Sequence, residues 1–173
     1  FLKVAANTSP NGAGADAPPI EGDGGGESDA IAPATVEAAA IGGDITLDNN
    51  LVLTPSPDGT VDLRAGGSIS TIVTLPTGAG SVGRISSTIT MLDGMASLST
   101  PLFNVLGTPT PAALPQALHL DDSVPAIIYA GDDITGAFNL IKPTDMEAGI
   151  DIINTNFTGQ NNNATDITSV IAG

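Results

Sequence analysis

The chain has 173 residues, enough for one domain with a substantial core. Four basic residues face 19 acidic ones, a formal net charge of -15. That balance excludes nucleic-acid binding, which needs Lys and Arg to neutralise phosphate, and argues against anionic lipid surfaces for the same reason.

Aromatic residues make up only 3% of the chain, so the core must come from Ile, Leu, Val and Ala. There is no Cys, hence no disulfide or thiol chemistry. This suits the cytosol, and equally an exported chain that must pass unfolded through an oxidising compartment. No run of 18 apolar residues and no basic, hydrophobic leader is present, so neither a transmembrane helix nor a signal peptide is expected. The 21 Gly and 13 Pro follow no Gly-X-Y period, which excludes collagen and points to many short strands between turns.

In chain order, Phe1-Leu2-Lys3-Val4 reads as a short strand. Residues 7–29 form an acidic linker rich in Gly and Pro that buries little. Residues 31–40, with Pro33, Val36, Glu37 and three alanines, favour a short helix. Residues 1–40 thus form an N-terminal strand, linker and helix. From residue 41 the pattern alternates: Ile45 and Leu47, Leu51 and Leu53, then Val61 and Leu63, with turns at Asn49-Asn50 and Asp58-Gly59. Apolar runs continue to Leu98, interrupted over 78–83. Residues 101–125 carry five prolines and read as a protruding loop with a helical turn near 112–118. Regular strands resume at Ala126 and run to residue 173.

One phrase recurs through this second part: a small residue, Gly, one or two small polar residues, then Ile. It reads Ile41-Gly42-Gly43-Asp44-Ile45, Ala65-Gly66-Gly67-Ser68-Ile69, Ala130-Gly131-Asp132-Asp133-Ile134 and Ala148-Gly149-Ile150-Asp151-Ile152, and Ala172-Gly173 opens another copy. Gly43 and Gly67 lie 24 residues apart, as do Gly149 and Gly173, and Gly131 and Gly149 are 18 apart. A period near 20 with one turn and one apolar strand per copy predicts an all-β parallel β-helix (β-solenoid) over 41–173, with the Pro-rich loop inserted at about 101–125. The alternative is antiparallel hairpins in a β-sandwich adhesin repeat. Roughly 125 residues in rungs of about 20 give about six rungs, about 30 Å long. The expected core is Ile45, Leu47, Leu51, Leu53, Val61, Leu63, Ile69, Ile127, Ile134, Ile152 and Ile171. The incomplete last copy suggests a piece of a longer stack.

No arrangement of catalytic residues stands out. His119 is the single histidine, and its distance from Asp121-Asp122 matches no catalytic spacing, so it reads as a surface or loop residue. One histidine and no cysteine cannot build a zinc site. Asp121, Asp122, Asp132 and Asp133, and Asp23 with Glu27 and Asp29, are the candidate metal ligands, since Ca²⁺ takes roughly six to eight oxygens. Against this, no EF-hand loop or Gly-Gly-x-Gly-x-Asp repeat is present, and aspartates favour turns on their own account. No resident cofactor is expected. Gln160 with Asn161-Asn162-Asn163 reads as a polar turn rather than an amide ladder.

Residues 51–67 and 118–134, and above all Asp151-Ile152-Ile153-Asn154-Thr155-Asn156-Phe157-Thr158-Gly159-Gln160-Asn161 followed by 166–173, resemble the shaft repeats of filamentous-haemagglutinin-like large exoproteins. The resemblance covers roughly residues 41–173, and segment 7–29 lies outside it. It implies that the β-helix is right-handed and belongs to a secreted bacterial cell-surface protein, moved outward by an outer-membrane β-barrel export partner. The implied role is structural or adhesive rather than enzymatic, with a host-cell or neighbouring-cell receptor or glycan as partner. Self-association into an oligomer or filament follows from exposed strand edges. The alternative function is a β-helical polysaccharide lyase or hydrolase, for which only Lys3, Arg64, Arg84 and Lys142 could supply the basic group.

Overall fold

The computed structural model describes residues 2–4, 30–78, 81–92 and 118–173. The linker over 7–29, with Asp23, Glu27 and Asp29, lies outside the described residues, as do most of the Pro-rich loop and its helical turn.

All regular structure among the described residues is strand. In chain order the strands are β1 (Leu2–Val4), β2 (Ala30–Ala32), β3 (Thr35–Ala40), β4 (Ile45–Leu47), β5 (Leu51–Leu53), β6 (Thr60–Ala65), β7 (Ile69–Ser70) and β8 (Ile72–Gly78). They continue as β9 (Ser81–Ser86), β10 (Thr88–Met91), β11 (Ala126–Ala130), β12 (Ile134–Asn139), β13 (Thr144–Ala148), β14 (Ile152–Thr158) and β15 (Ser169–Ala172).

Two parallel sheets carry the fold. One has eight strands, ordered β1-β4-β7-β12-β10-β5-β2 with β14 also on β12, and the other has five, ordered β15-β13-β11-β6-β3. The chain alternates between them. Each passage through the first sheet is followed by one strand of the second, a tight glycine corner and a return. Among the described residues each strand of the second sheet, with the first-sheet passage before it, makes one rung, numbered in chain order. β3 belongs to residues 1–40, and four, β6, β11, β13 and β15, fall within 41–173, two fewer than the period predicts there, because insertions lengthen some copies. Only rung 4 is close to minimal, with Ile134 and Ile152 18 residues apart, whereas Ile69 and Ile134 are 65 apart.

The parallel pairings exclude a β-sandwich of antiparallel hairpins for these sheets. A single antiparallel pair is described, β8 with β9, and it forms a hairpin of its own. Residues 31–40 are strands rather than a helix: β2 pairs with β5, and β3 pairs with β6 over six residues. A ten-residue helix is marginal alone, and a full ladder of backbone bonds to a neighbouring rung outweighs the alanines' preference. The rungs therefore extend into residues 1–40 and do not begin at residue 41.

Side chains stack in columns between the sheets. Ile45, Ile69 and Ile134 lie in one ladder and are fully buried, with Ile152 half-buried above them. Leu51, Ile89, Phe138 and Phe157 form a second column. In the second sheet Ala40, Ala65, Ala130, Ala148 and Ala172 form a column of small residues just before the corner. Eight of the eleven expected core residues are buried; Ile127, Ile152 and Ile171 are not. Ile127 and Ile171 face outward, in register with Asp62 and Asp145 and with Glu147. In Ala126-Ile127-Ile128-Tyr129 alternation is lost, and the register with β6 and β13 turns Ile128 inward.

Candidate functional site

Three places gather polar chemistry: the glycine corner, the opposite corner, and the midline of the first sheet. At the glycine corner, the N–H groups of Gly66, Gly131, Gly149 and Gly173 donate to the carbonyls of Ala40, Ala65, Ala130 and Ala148, at 2.7, 2.9, 2.9 and 3.2 Å. A Cβ on Gly66, Gly131 or Gly149 would run into the backbone oxygen of the rung before it. The residue preceding each Ile builds a second ladder. The Ser68 N–H donates to Asp44 Oδ1 (2.8 Å), the Asp133 N–H to Ser68 Oγ (3.3 Å) and the Asp151 N–H to Asp133 Oδ1 (3.1 Å). Asp133, a predicted metal ligand, is thus a turn residue that holds the next rung. Asp132 is exposed at the same corner, its N–H bonded to the Gly67 carbonyl.

The opposite corner holds a buried ionic cluster. Lys142 and His119 are each 1% exposed, and both reach the Asp122 carboxylate: Lys142 Nζ to Oδ2 at 2.5 Å, His119 Nδ1 to Oδ2 at 3.2 Å. Lys142 Nζ also donates to the Gly59 carbonyl at 3.2 Å, and the Val124 N–H donates to Asp122 Oδ1 at 3.0 Å. Burial pushes the Asp122 carboxyl up, but hydrogen bonds from Lys142, His119 and Val124 and the Lys142 charge outweigh it and hold it below the ordinary carboxylate range. Asp121 is exposed beside it.

A third loop closes over the cluster. Asn162 Nδ2 donates to the His119 carbonyl (3.2 Å) and Asn163 Nδ2 to that of Leu120 (2.6 Å). The N–H groups of both asparagines bond Asp166 Oδ2, at 2.9 and 2.8 Å. The asparagine run is a polar turn whose amides clamp the loop that enters β11.

The four predicted metal ligands therefore fall at two separate corners, and Asp122 is engaged by a cation and a histidine. Among the described residues no group of three His, Asp or Glu gathers as a metal centre. His119 is a loop residue as expected but not a surface one: it is buried. Lys142 was named from the sequence only as one of four basic residues, and nothing in its neighbourhood signals its pairing with Asp122, which stands 20 residues before it.

The midline of the first sheet is interrupted in every rung at one place. Residues 5–29 lie between β1 and β2, Asp48-Asn49-Asn50 between β4 and β5, and the β8–β9 hairpin between Thr71 and Ser87. In rung 4 the break shrinks to Gly136, φ +134°, and in rung 5 to a bulge at Asn154, φ +50°. The hairpin's base is stitched by Ser87 N–H to the Thr71 carbonyl (2.7 Å) and Thr71 Oγ1 to the Ser87 carbonyl (2.6 Å). Thr71 Oγ1 in turn accepts the Ala137 N–H of the next rung at 2.9 Å.

Comparison with protein-family models, curated proteins and solved structures finds no match to this chain. Among the described residues no helix is long and apolar enough to cross a membrane.

Proposed function

We propose that the chain is a stretch of right-handed parallel β-helix serving as a non-catalytic, adhesive shaft on a bacterial cell surface, of the filamentous-haemagglutinin-like kind. The observation that carries this reading is the common break in the first sheet. Parallel rungs keep a constant frame, and Asp48-Asn49-Asn50, the β8–β9 hairpin, Gly136 and the bulge at Asn154 all stand at one point of it, so extra chain admitted there by the described rungs lies in a row along one side of the stack. Repeat proteins use such rows as contact surfaces. The partner is a host-cell or neighbouring-cell receptor or glycan, met by the loops rather than by a pocket. A chain without cysteine also suits passage, unfolded, through an outer-membrane β-barrel exporter.

The test is cell binding by the fluorescently labelled chain, set against a variant in which one glycine replaces residues 71–87. The variant is expected to keep its β-sheet circular dichroism and lose most cell binding. Equal binding by a folded variant would remove the hairpin from the contact surface, and absence of binding by the intact chain would remove the adhesive reading.

A further inference from the structure

We propose that Lys142 and Asp122 condense into an intramolecular isopeptide bond, with His119 carrying the proton that leaves with water. Three features of the opposite corner point to this. The Lys142 amine lies against the Asp122 carboxyl, 2.5 Å from Oδ2, so the carbon it would attack is one bond further. Both side chains are withdrawn from solvent, 2% and 15% exposed. A histidine nitrogen sits 3.2 Å from the same carboxyl oxygen, where a proton must be delivered if that oxygen is to leave.

The reaction needs no co-reactant. One proton passes along the hydrogen bond from the ammonium to the carboxylate, giving a neutral amine and acid. The nitrogen lone pair attacks Cγ and forms the C–N bond. The nitrogen loses a second proton as His119 returns one to the departing oxygen, the C–O bond breaks, and one water is released. An ammonium and a carboxylate become one amide and one water, with no net change in charge or oxidation state.

Burial drives the reaction forward. Removing two ions from water is costly, and condensation abolishes both charges where they are least well solvated. Fixed neighbours also react with effective molarities of about 10⁵ M and above, which dilute side chains cannot match. The product would join the loop entering rung 3's second-sheet strand to the turn of rung 4, a covalent crosslink in a chain with no cysteine.

The test is the intact mass of the folded 173-residue chain, read over time after refolding. The expected result is conversion to a species one water lighter than the sequence mass. In a digest that cuts at Asp132, a branched peptide should join Asp122 to Lys142. Lys142→Met and Asp122→Ala should both retain the full sequence mass. His119→Ala, if folded by circular dichroism, should slow the conversion at least tenfold. A folded wild-type chain that keeps its full mass on prolonged incubation overturns the proposal. So does a water loss that maps elsewhere, such as a succinimide at Asp58-Gly59. Because the primary reading is on the wild-type chain, variants that fail to fold do not affect it.

Discussion

Gly131 and Gly149 are held to glycine by the oxygen atom in the rung before them, not by their own backbone angles. Neither is among the positive-φ residues, yet a Cβ on either would strike the backbone carbonyl of Gly66 or Gly131. Gly42 shows the contrast, with nothing within 4 Å of the same position. Gly131→Ala and Gly149→Ala are therefore expected to destabilise by about 1–3 kcal/mol through overpacking. Gly42→Ala should stay within about 0.5 kcal/mol of wild type, as surface changes usually do. Urea unfolding of the three variants checks this, and equal losses at all three would mean that the corner is not close-packed. This glycine column was legible in the sequence because a steric rule acting at rungs 2 to 4 leaves a repeated letter. The ionic cluster was not, because Lys142, Asp122 and His119 come from loops whose approach depends on stacking. Nor was the orientation of Ile127 and Ile171, since apolar identity does not tell which face a residue takes when its neighbours are apolar too.

At the scale of strands, the break in the first sheet separates what must be conserved in geometry from what can vary in length. Ser70 and Thr88 pair with Thr135 and Ala137, which are separated by Gly136 alone. Everything from Thr71 to Ser87 therefore occupies the place of one residue. Replacing it by a single glycine should give a rung like rung 4 and leave cooperative unfolding intact. The cost should be about 1 kcal/mol for the lost bond from the Ala137 N–H to Thr71 Oγ1. Thermal unfolding followed by circular dichroism checks this; loss of the β signal would show that the hairpin is part of the frame. The same break explains which elements the sequence revealed. Strands showed wherever two apolar residues alternate, as in Ile45 and Leu47. The period blurred because insertions of different size enter at the break and, in rung 3, also between β10 and β11. Residues 31–40 read as helix because their alanines carry no record of the β6 strand that they pair with.

For the molecule as a whole, charge and edge act in opposition. A net charge of -15 repels like copies, yet β14 and β15 contain no charged residue, and among the described strands each pairs with a neighbour on one side only, β12 and β13. Ile150, Ile153, Ile167, Val170 and Ile171 are all more than 40% exposed on or beside these strands. Unpaired edges without charge, proline or cover are the usual templates for association, and among the described residues the bulge at Asn154 is the one blunting feature. The corner selects the geometry. A rung stacked on this edge in parallel must bring a glycine to lie over Gly173, and rung 1 brings Ile41, following Ala40, where later rungs have glycine. Head-to-tail stacking is thereby disfavoured, and pairing of two rung-5 edges about a two-fold axis, which stops at a dimer, is favoured. Repulsion between surface charges reaches about 30 Å at 0.01 M salt and about 10 Å at 0.1 M, while apolar contact is not screened. Dimerisation of the 173-residue chain should therefore strengthen as salt rises over that range. Ile153→Glu with Ile171→Glu should weaken it at least tenfold without loss of fold, because Ile171 faces outward and Ile153 is 42% exposed. Sedimentation equilibrium at the two ionic strengths measures both effects. A dimer constant that fell with salt would place the contact among charged groups, and species growing beyond dimers would restore the head-to-tail stack.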